Sequence, residues 1–298
     1  MIEELKTFIA VVEERSFTKA AEKVNLTQPS VSAHIKNLEA YFGTTLVTRS
    51  IKLKKILITE SGNLLYKRSK ELLSLFETTT DELRHLSTTF RGHIKVGASS
   101  AIGECLLPAF LAEFCKAYNE IDVDVFIGNT TETTALMRAL QIDLALVEGV
   151  LSFPSFKQRC FFEDQLLLIA PKSYCFDEDF LASPLLQEER WLTREHGSGL
   201  REALDTFLVL HQIVPKRKLL LSSNHALKEA VKNGLGLTII PKCMMKYPDD
   251  FNDLQIFPLG PNLKIALSSL LPKDLPPSPI TLLFLENFVD YIKKHQAQ

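Results

Sequence analysis

Long apolar runs are missing from the 298 residues. None approaches the roughly 18 residues that a bilayer-crossing helix needs, which excludes a helical membrane anchor. Cysteine is scarce and scattered: Cys105, Cys115, Cys160, Cys175 and Cys243 are odd in number and form no CxxC pair. That excludes a zinc ribbon and a disulfide framework, and it reads as core thiols in a reducing compartment. The opening stretch MIEELKTFIAVVEERSF is acidic and amphipathic, unlike the basic start and apolar core of a secretory leader. A cytoplasmic location with no membrane partner is therefore expected. Catalytic signatures are absent as well. There is no HExxH, no nucleophile elbow, no GxxxxGKS/T or GxGxxG loop, and His34, His85, His93, His196, His211, His225 and His295 are dispersed. An enzyme built on the C-terminal body is disfavoured, and no catalytic residue, metal or cofactor is expected.

Charge is present in an uneven pattern. Between Arg15 and Lys55 stand eight basic residues (Arg15, Lys19, Lys23, Lys36, Arg49, Lys52, Lys54, Lys55) against Glu22 and Glu39, a local +6 in a chain of net −2. Clustered Lys and Arg neutralise phosphates, so this stretch fits a nucleic-acid-binding head on an acidic body, although solvated basic faces are common.

The same stretch carries helical punctuation. Ile2, Leu5, Phe8, Ile9 and Val12 predict an amphipathic helix over 2–14. Thr18 is placed as the N-cap of a short helix over 18–24 with Ala20, Ala21 and Val24 inward. Asn25-Leu26-Thr27 makes a tight turn with Leu26 inward, Thr27 caps the next helix, and Pro29 sits in its first turn, where a missing N–H costs little. Val31, Ile35 and Leu38 then face the core, leaving Pro29, Ser32, Ala33, Lys36 and Asn37 outward with Gln28 at the tip. A helix so small and polar on its outer face fits the major groove, which makes this a helix-turn-helix. Gln28 and Ser32 reach base edges and Ala33 a thymine methyl. Thr18, at a helix start, suits a phosphate, and Thr27 joins the contact set. Residues 46–58 read as a basic β-hairpin, a wing whose Arg49, Lys52 and Lys54 contact phosphates or the minor groove. A three-helix bundle for protein contacts is the alternative, against which cap, turn and wing agree.

Phe17-Thr18-Lys19-Ala20-Ala21, Thr27-Gln28-Pro29-Ser30-Val31-Ser32, Ile35-Lys36-Asn37-Leu38-Glu39, Phe42-Gly43-Thr44-Thr45-Leu46-Val47-Thr48-Arg49-Ser50 and Thr59-Glu60-Ser61-Gly62 closely resemble the LysR-type transcriptional regulators. The resemblance implies a bacterial regulator that binds double-stranded DNA as a homodimer or homotetramer and contacts RNA polymerase. The wing, from Leu46 to Gly62, is two residues longer than the family's usual form.

From Thr59 to Phe90 there is no proline and only Gly62 as glycine, while Leu65, Leu72, Phe76, Leu83, Leu86 and Phe90 fall on alternating four- and three-residue steps with Ser69 and Thr79 between. This predicts a long helix with a coiled-coil seam, or else an ordinary helix packed on its own domain. In the resembled family such linker helices pair two heads over a two-fold site.

Beyond Arg91-Gly92, strands over 93–98, 121–127, 144–147, 165–170, 218–221, 237–240 and 264–267 alternate with helices over 103–118, 131–140, 199–210, 225–232 and 279–294. Such alternation argues for an α/β fold with largely parallel sheets, whose ligands bind beyond the strands' carboxyl ends. Candidate effector contacts there are Ser99 and Ser100, Asn129 and Thr130, and Ser198 with Arg201 in Gly197-Ser198-Gly199-Leu200-Arg201, where a guanidinium joins helix-start amides in a setting for an anion. Glu148 and Asn224 also end strands and rank below these. Each Ser, Thr and Asn has the alternative role of a helix cap. Gly234-Leu235-Gly236 reads as a helix C-cap and strand entry. The resemblance implies two Rossmann-like subdomains, similar to periplasmic binding proteins and crossed twice by the chain. Expected boundaries are 1–58 for the winged helix-turn-helix, 59–90 for the linker and 91–298 for the effector domain, its subdomains being 91–161 with 263–298, and 162–262. A small anionic metabolite is the expected effector, and the resemblance implies one with a sulfur or carboxylate group.

Overall fold

A computed structural model describes residues 1–50, 55–85, 90–149, 153–174, 185–245, 248–259 and 263–296. The chain divides into two units, Met1–Thr80 and Asp81–Gln298.

In the first unit, α1 (Ile2–Glu14) buries Leu5, Phe8, Val11 and Val12 and ends at Arg15, which takes a left-handed turn with φ 50°. α2 (Phe17–Lys23) begins one residue earlier than expected, because Ser16 and not Thr18 is its cap: the Ser16 hydroxyl accepts from Lys19 N. Thr18 sits inside the first turn. Ala20 and Ala21 are buried, so α2 lies close against α1 and α3 (Gln28–Phe42). Asn25 turns the chain at φ 54°, a conformation asparagine tolerates, and this aims Leu26 outward, 39% exposed, where an inward side chain was expected. Thr27 caps α3 as expected by accepting from Ser30 N. Val31, Ile35 and Leu38 close the core against Phe8, Val11 and Leu46.

β1 (Val47–Ser50) and β2 (Lys55–Ile58) pair antiparallel, with Val47 opposite Ile58 and Ser50 opposite Lys55. The Glu39 carboxylate accepts from Leu46 N and Val47 N at 2.8 and 3.2 Å, which fixes the hairpin to α3. α4 (Glu60–His85) starts where Gly62 passes so close to the chain that a Cβ would lie 2.3 Å from the Leu46 carbonyl oxygen. The expected seam changes character along this helix. Ser69 is fully buried and Leu65 packs on the head core, whereas Leu72, Leu75, Phe76 and Leu83 are 56%, 45%, 55% and 65% exposed. Leu86 lies outside the described residues.

In the second unit, β3 (Gly92–Ser99) pairs parallel with β4 (Ile121–Gly128) and β5 (Leu144–Glu148). A π-helical turn (Ile102–Leu106) and α5 (Leu107–Ala117) join β3 to β4, and α6 (Thr130–Arg138) follows β4. β6 (Phe156–Pro171) is more than twice the expected length: its first part pairs antiparallel with β11 (Lys264–Pro272), its second with β9 (Thr238–Pro241) and β10 (Leu254–Pro258). β11 also pairs antiparallel with β5. The sheets are thus mixed rather than largely parallel, since β6 and β11 carry the chain between the two halves in opposite directions. β7 (Arg190–Thr193) and β8 (Arg217–Leu220) pair parallel. α7 (Leu185–Glu188), α8 (Gly199–Leu210), α9 (Asn224–Lys232), α10 (Pro248–Asp253) and α11 (Pro279–Gln296) complete the order. β7, β10, α7 and α10 were not read from the sequence, each being six residues or fewer.

Two features hold this unit. Phe110 and Phe114 on α5 meet Phe284 on α11 edge to face at 5.1 and 5.0 Å, with Phe288 a further 5.1 Å neighbour of Phe110. Lys228 on α9 donates to Asp250 on α10 at 2.7 Å, both buried, with Lys232 at 2.9 Å from the same carboxylate. Gly234 at φ 77° follows the end of α9 and leads into β9, as expected of a cap.

Candidate nucleic-acid interface and ligand cleft

In the head, Thr27 fixes the start of α3 by accepting from Ser30 N. Gln28, Pro29, Ala33 and Lys36 are exposed and Ser32 half-buried, forming one outward face. Gln28 Nε2 donates to Ser32 Oγ at 2.9 Å, so the two candidate base readers are paired to each other in the isolated protein. Asn37, expected on this face, is instead tied to α1 through Glu4 at 2.9 Å. Thr18 is exposed near the start of α2. Lys23, one of the eight basic residues, is ion-paired to Glu13 and Glu14. Arg49 lies on β1 opposite Ile56, while Lys52 and Lys54 lie outside the described residues.

In the second unit, the carboxyl ends of β3, β5 and β7 meet the starts of α6, α8 and α9. This brings the candidates Ser99, Ser100, Asn129, Thr130, Glu148, Ser198 and Asn224 into one buried polar cluster. At its centre is a residue the sequence reading missed. Arg194, 2% exposed, follows β7 and donates to Asn224 Oδ1, to Ser100 Oγ at 3.4 Å, and through Nε and Nη2 to both oxygens of Glu195 at 2.9 and 3.0 Å. Burial pushes Glu195 up, but the bonds from Arg194 outweigh it and hold its carboxyl below the usual range. Asn129 caps α6 by accepting from Glu132 N and also donates to Glu195 at 3.3 Å. Thr130 Oγ1 donates to the Glu148 carbonyl at 3.0 Å.

Arg201 stands differently from what was expected. Its Nε donates to Asp205 at 2.6 Å and its Nη1 to the Arg194 carbonyl at 3.0 Å, so the guanidinium braces the strand end. The glycines of the same segment serve close approach. A Cβ on Gly199 would lie 2.3 Å from the Glu148 carbonyl oxygen, and one on Gly197 2.5 Å from Thr131 Oγ1. Thr131 N donates to the Gly197 carbonyl at 3.1 Å, closing the two halves on each other.

Three polar atoms of this cluster have no hydrogen-bond partner although they are out of reach of solvent: Ser99 Oγ, Glu148 Oε2 and Asn224 Nδ2. Orphaned groups of this kind cost about 1–3 kcal/mol each. The three leave the cluster with unused hydrogen-bonding capacity. Glu148 is pushed up to about 7 by burial, against the opposing pull of the Ala101 amide, Arg194 and Ser99. Among the described residues no group of three or more His, Cys, Asp or Glu side chains is arranged to hold a metal, and no helix is long and apolar enough to cross a membrane.

Comparison with known proteins adds the following. Residues 2–63 match the model of bacterial regulatory helix-turn-helix proteins of the lysR family, and residues 87–296 match the LysR substrate binding domain. The chain is 43% identical over 243 residues to the HTH-type transcriptional regulator CysL of Bacillus subtilis, covering 81% of each protein. It shares its fold with full-length CbnR solved in complex with its target DNA, at 20% identity, a TM-score of 0.64 and 99% coverage of both chains. The regulatory domain of Synechocystis CcmR in complex with 2-PG is similar over 69% of this chain and 99% of that one, at 23% identity and a TM-score of 0.59.

Proposed function

The chain belongs to the LysR family of bacterial transcriptional regulators, with a helix-turn-helix head and an effector-binding body, and from that premise we propose that a small anion bound around Arg194 controls how its heads engage DNA. One observation carries this reading: a buried guanidinium bonded to Ser100, Asn224 and Glu195, with three unpartnered polar atoms (Ser99 Oγ, Glu148 Oε2 and Asn224 Nδ2) in the same cluster. Strand ends and helix starts converge there, which is where open α/β sheets take ligands. Ser99, Ser100, Asn129, Thr130, Ser198 and Asn224 supply neutral hydrogen bonds, and Arg201 supports Arg194 from behind. The likeness to a regulatory domain solved with 2-PG supports a small-molecule ligand for such a body.

In the head, Gln28, Pro29, Ser32 and Ala33 read base edges, Lys36, Thr18 and Thr27 hold phosphates, and Arg49, Lys52 and Lys54 of the wing extend the backbone contacts. Two chains pair through the exposed stripe of α4, and the bound anion changes the geometry of that dimer or a tetramer, and with it DNA bending or contact with RNA polymerase in the cytoplasm. Thermal-shift screening of small oxyanions against the wild type and Arg194→Gln tests the reading. Stabilisation of the wild type alone is expected; no stabilisation by any anion would overturn the anion reading, and an equal response in the variant would place the site elsewhere.

A further inference from the structure

The Glu148 carboxyl is the least solvated acid in the cluster, 2% exposed at the end of β5. Its Oε1 faces the Ala101 amide at 3.5 Å, a long contact, and its Oε2 has no partner. The charged groups near it stand on three segments. Arg194 follows β7 and already pairs with Glu195; Glu104 stands on the π-helical turn; Glu202 on α8 stands nearby and is itself pushed up by burial. The Ser99 hydroxyl at the end of β3 lies beside the carboxyl and pulls it down, although it makes no hydrogen bond of ordinary geometry. An ionised Glu148 would thus add a second negative charge to a cluster whose one buried cation is neutralised. Uncompensated buried charge is costly, and an incoming anion would make it more so.

Resting on the anion reading above, we propose that Glu148 is the specificity-determining acid of the cleft: it enters the bound state protonated and donates a hydrogen bond from Oε2 to an oxygen of the ligand. The proton sits on Oε2 because that oxygen accepts no hydrogen bond, whereas Oε1 faces an N–H. The ligand oxygen supplies the missing acceptor. Above the pH at which Glu148 ionises in the free protein, each anion bound then draws one proton from solvent. The cleft selects an oxyanion over an ammonium compound by this proton. The group is pushed up to about 7 by burial, so the coupling falls within the range a cell experiences.

Calorimetric titration of the full-length protein with sulfate and with glycolate, both ionised throughout pH 6–9, tests this. Repeating each titration in buffers of different ionisation heat counts the protons. Uptake approaching about one proton per anion at pH 8 is expected, with wild-type affinity falling roughly tenfold per pH unit above neutrality. Glu148→Gln, a permanent neutral donor, is expected to match the wild type at pH 6 and to hold that affinity at pH 9. Anion binding without proton uptake, or a pH dependence that survives Glu148→Gln, overturns the proposal while leaving the anion site standing. Failure of both proteins to bind either anion at pH 6 removes the anion reading and this inference with it.

Discussion

Arg201 donates from Nη1 to the backbone carbonyl of Arg194 at 3.0 Å, so one arginine holds the strand end that carries the other. The two should therefore separate by experiment. Arg201→Ala loses a charge-assisted bond and the Asp205 pair, and it is expected to lower the melting temperature by a few degrees, about 1–2 kcal/mol, while keeping an anion response. Arg194→Gln is expected to abolish that response. Differential scanning calorimetry with and without anion reads both; a lost response only in Arg201→Ala would reverse their roles.

Gly199 meets the Glu148 carbonyl at a distance no Cβ can share. Gly199→Ala must push β5 and α8 apart, and overpacking of this kind costs about 1–3 kcal/mol. Urea denaturation should show that loss, whereas Gly43→Ala, at φ 65° with open space around it, carries only the left-handed backbone strain.

Glu148 also sets a pH dependence in the absence of ligand. Its folded-state pKa is raised from 4.5 to about 7, so folded protein holds the proton longer than unfolded protein does. No cost exists at low pH; the cost grows as pH rises above 4.5 and is complete above about 7. The full effect is about 3 kcal/mol as an order of magnitude. Glu148→Gln is expected to stabilise the body at pH 8 and to be neutral at pH 4, checked by melting curves at the two values. Equal effects at both would show that the group does not titrate as stated.

The stripe of α4 gives a fourth expectation. Leu72, Phe76 and Leu83 are more than half exposed, and each gains about 1.5–3 kcal/mol on full burial. Phe76→Asp with Leu83→Asp should shift the protein toward monomer in sedimentation equilibrium. In the head, Ser32→Arg and Gln28→Ala should abolish specific binding in gel shifts without changing that sedimentation. Wild-type footprints from both head variants would contradict the placing of α3 in the groove.

The head was legible because its signals are local: Thr27 as cap, Pro29 in the first turn, and Val31, Ile35 and Leu38 on one face all act within one helix. Thr18 was misplaced because Ser16 and Thr18 both suit a cap and only the backbone geometry chooses between them. The body was less legible. β6 was read only in its second half, since Lys157, Gln158, Arg159 and Glu163 break the apolar run that the later residues display. Arg194 was invisible for a related reason: it follows a four-residue strand, and its burial comes from Ser100 and Asn224, which lie 94 and 30 positions away. Arg201 stands out in the sequence as a charge beside helix-start amides, yet its guanidinium is taken by Asp205 and the Arg194 carbonyl, and the neighbouring glycines serve close packing against Glu148 and Thr131.

Occupancy of the Arg194 cleft is proposed to set how the heads sit on DNA. Footprinting the full-length wild type and Arg194→Gln on the DNA flanking the protein's own gene, with and without a stabilising anion, asks this directly. The anion should change the length or the hypersensitive bands of the wild-type footprint and leave that of Arg194→Gln unchanged. An identical anion-dependent change in both proteins, or no change in either despite measured binding, would contradict it.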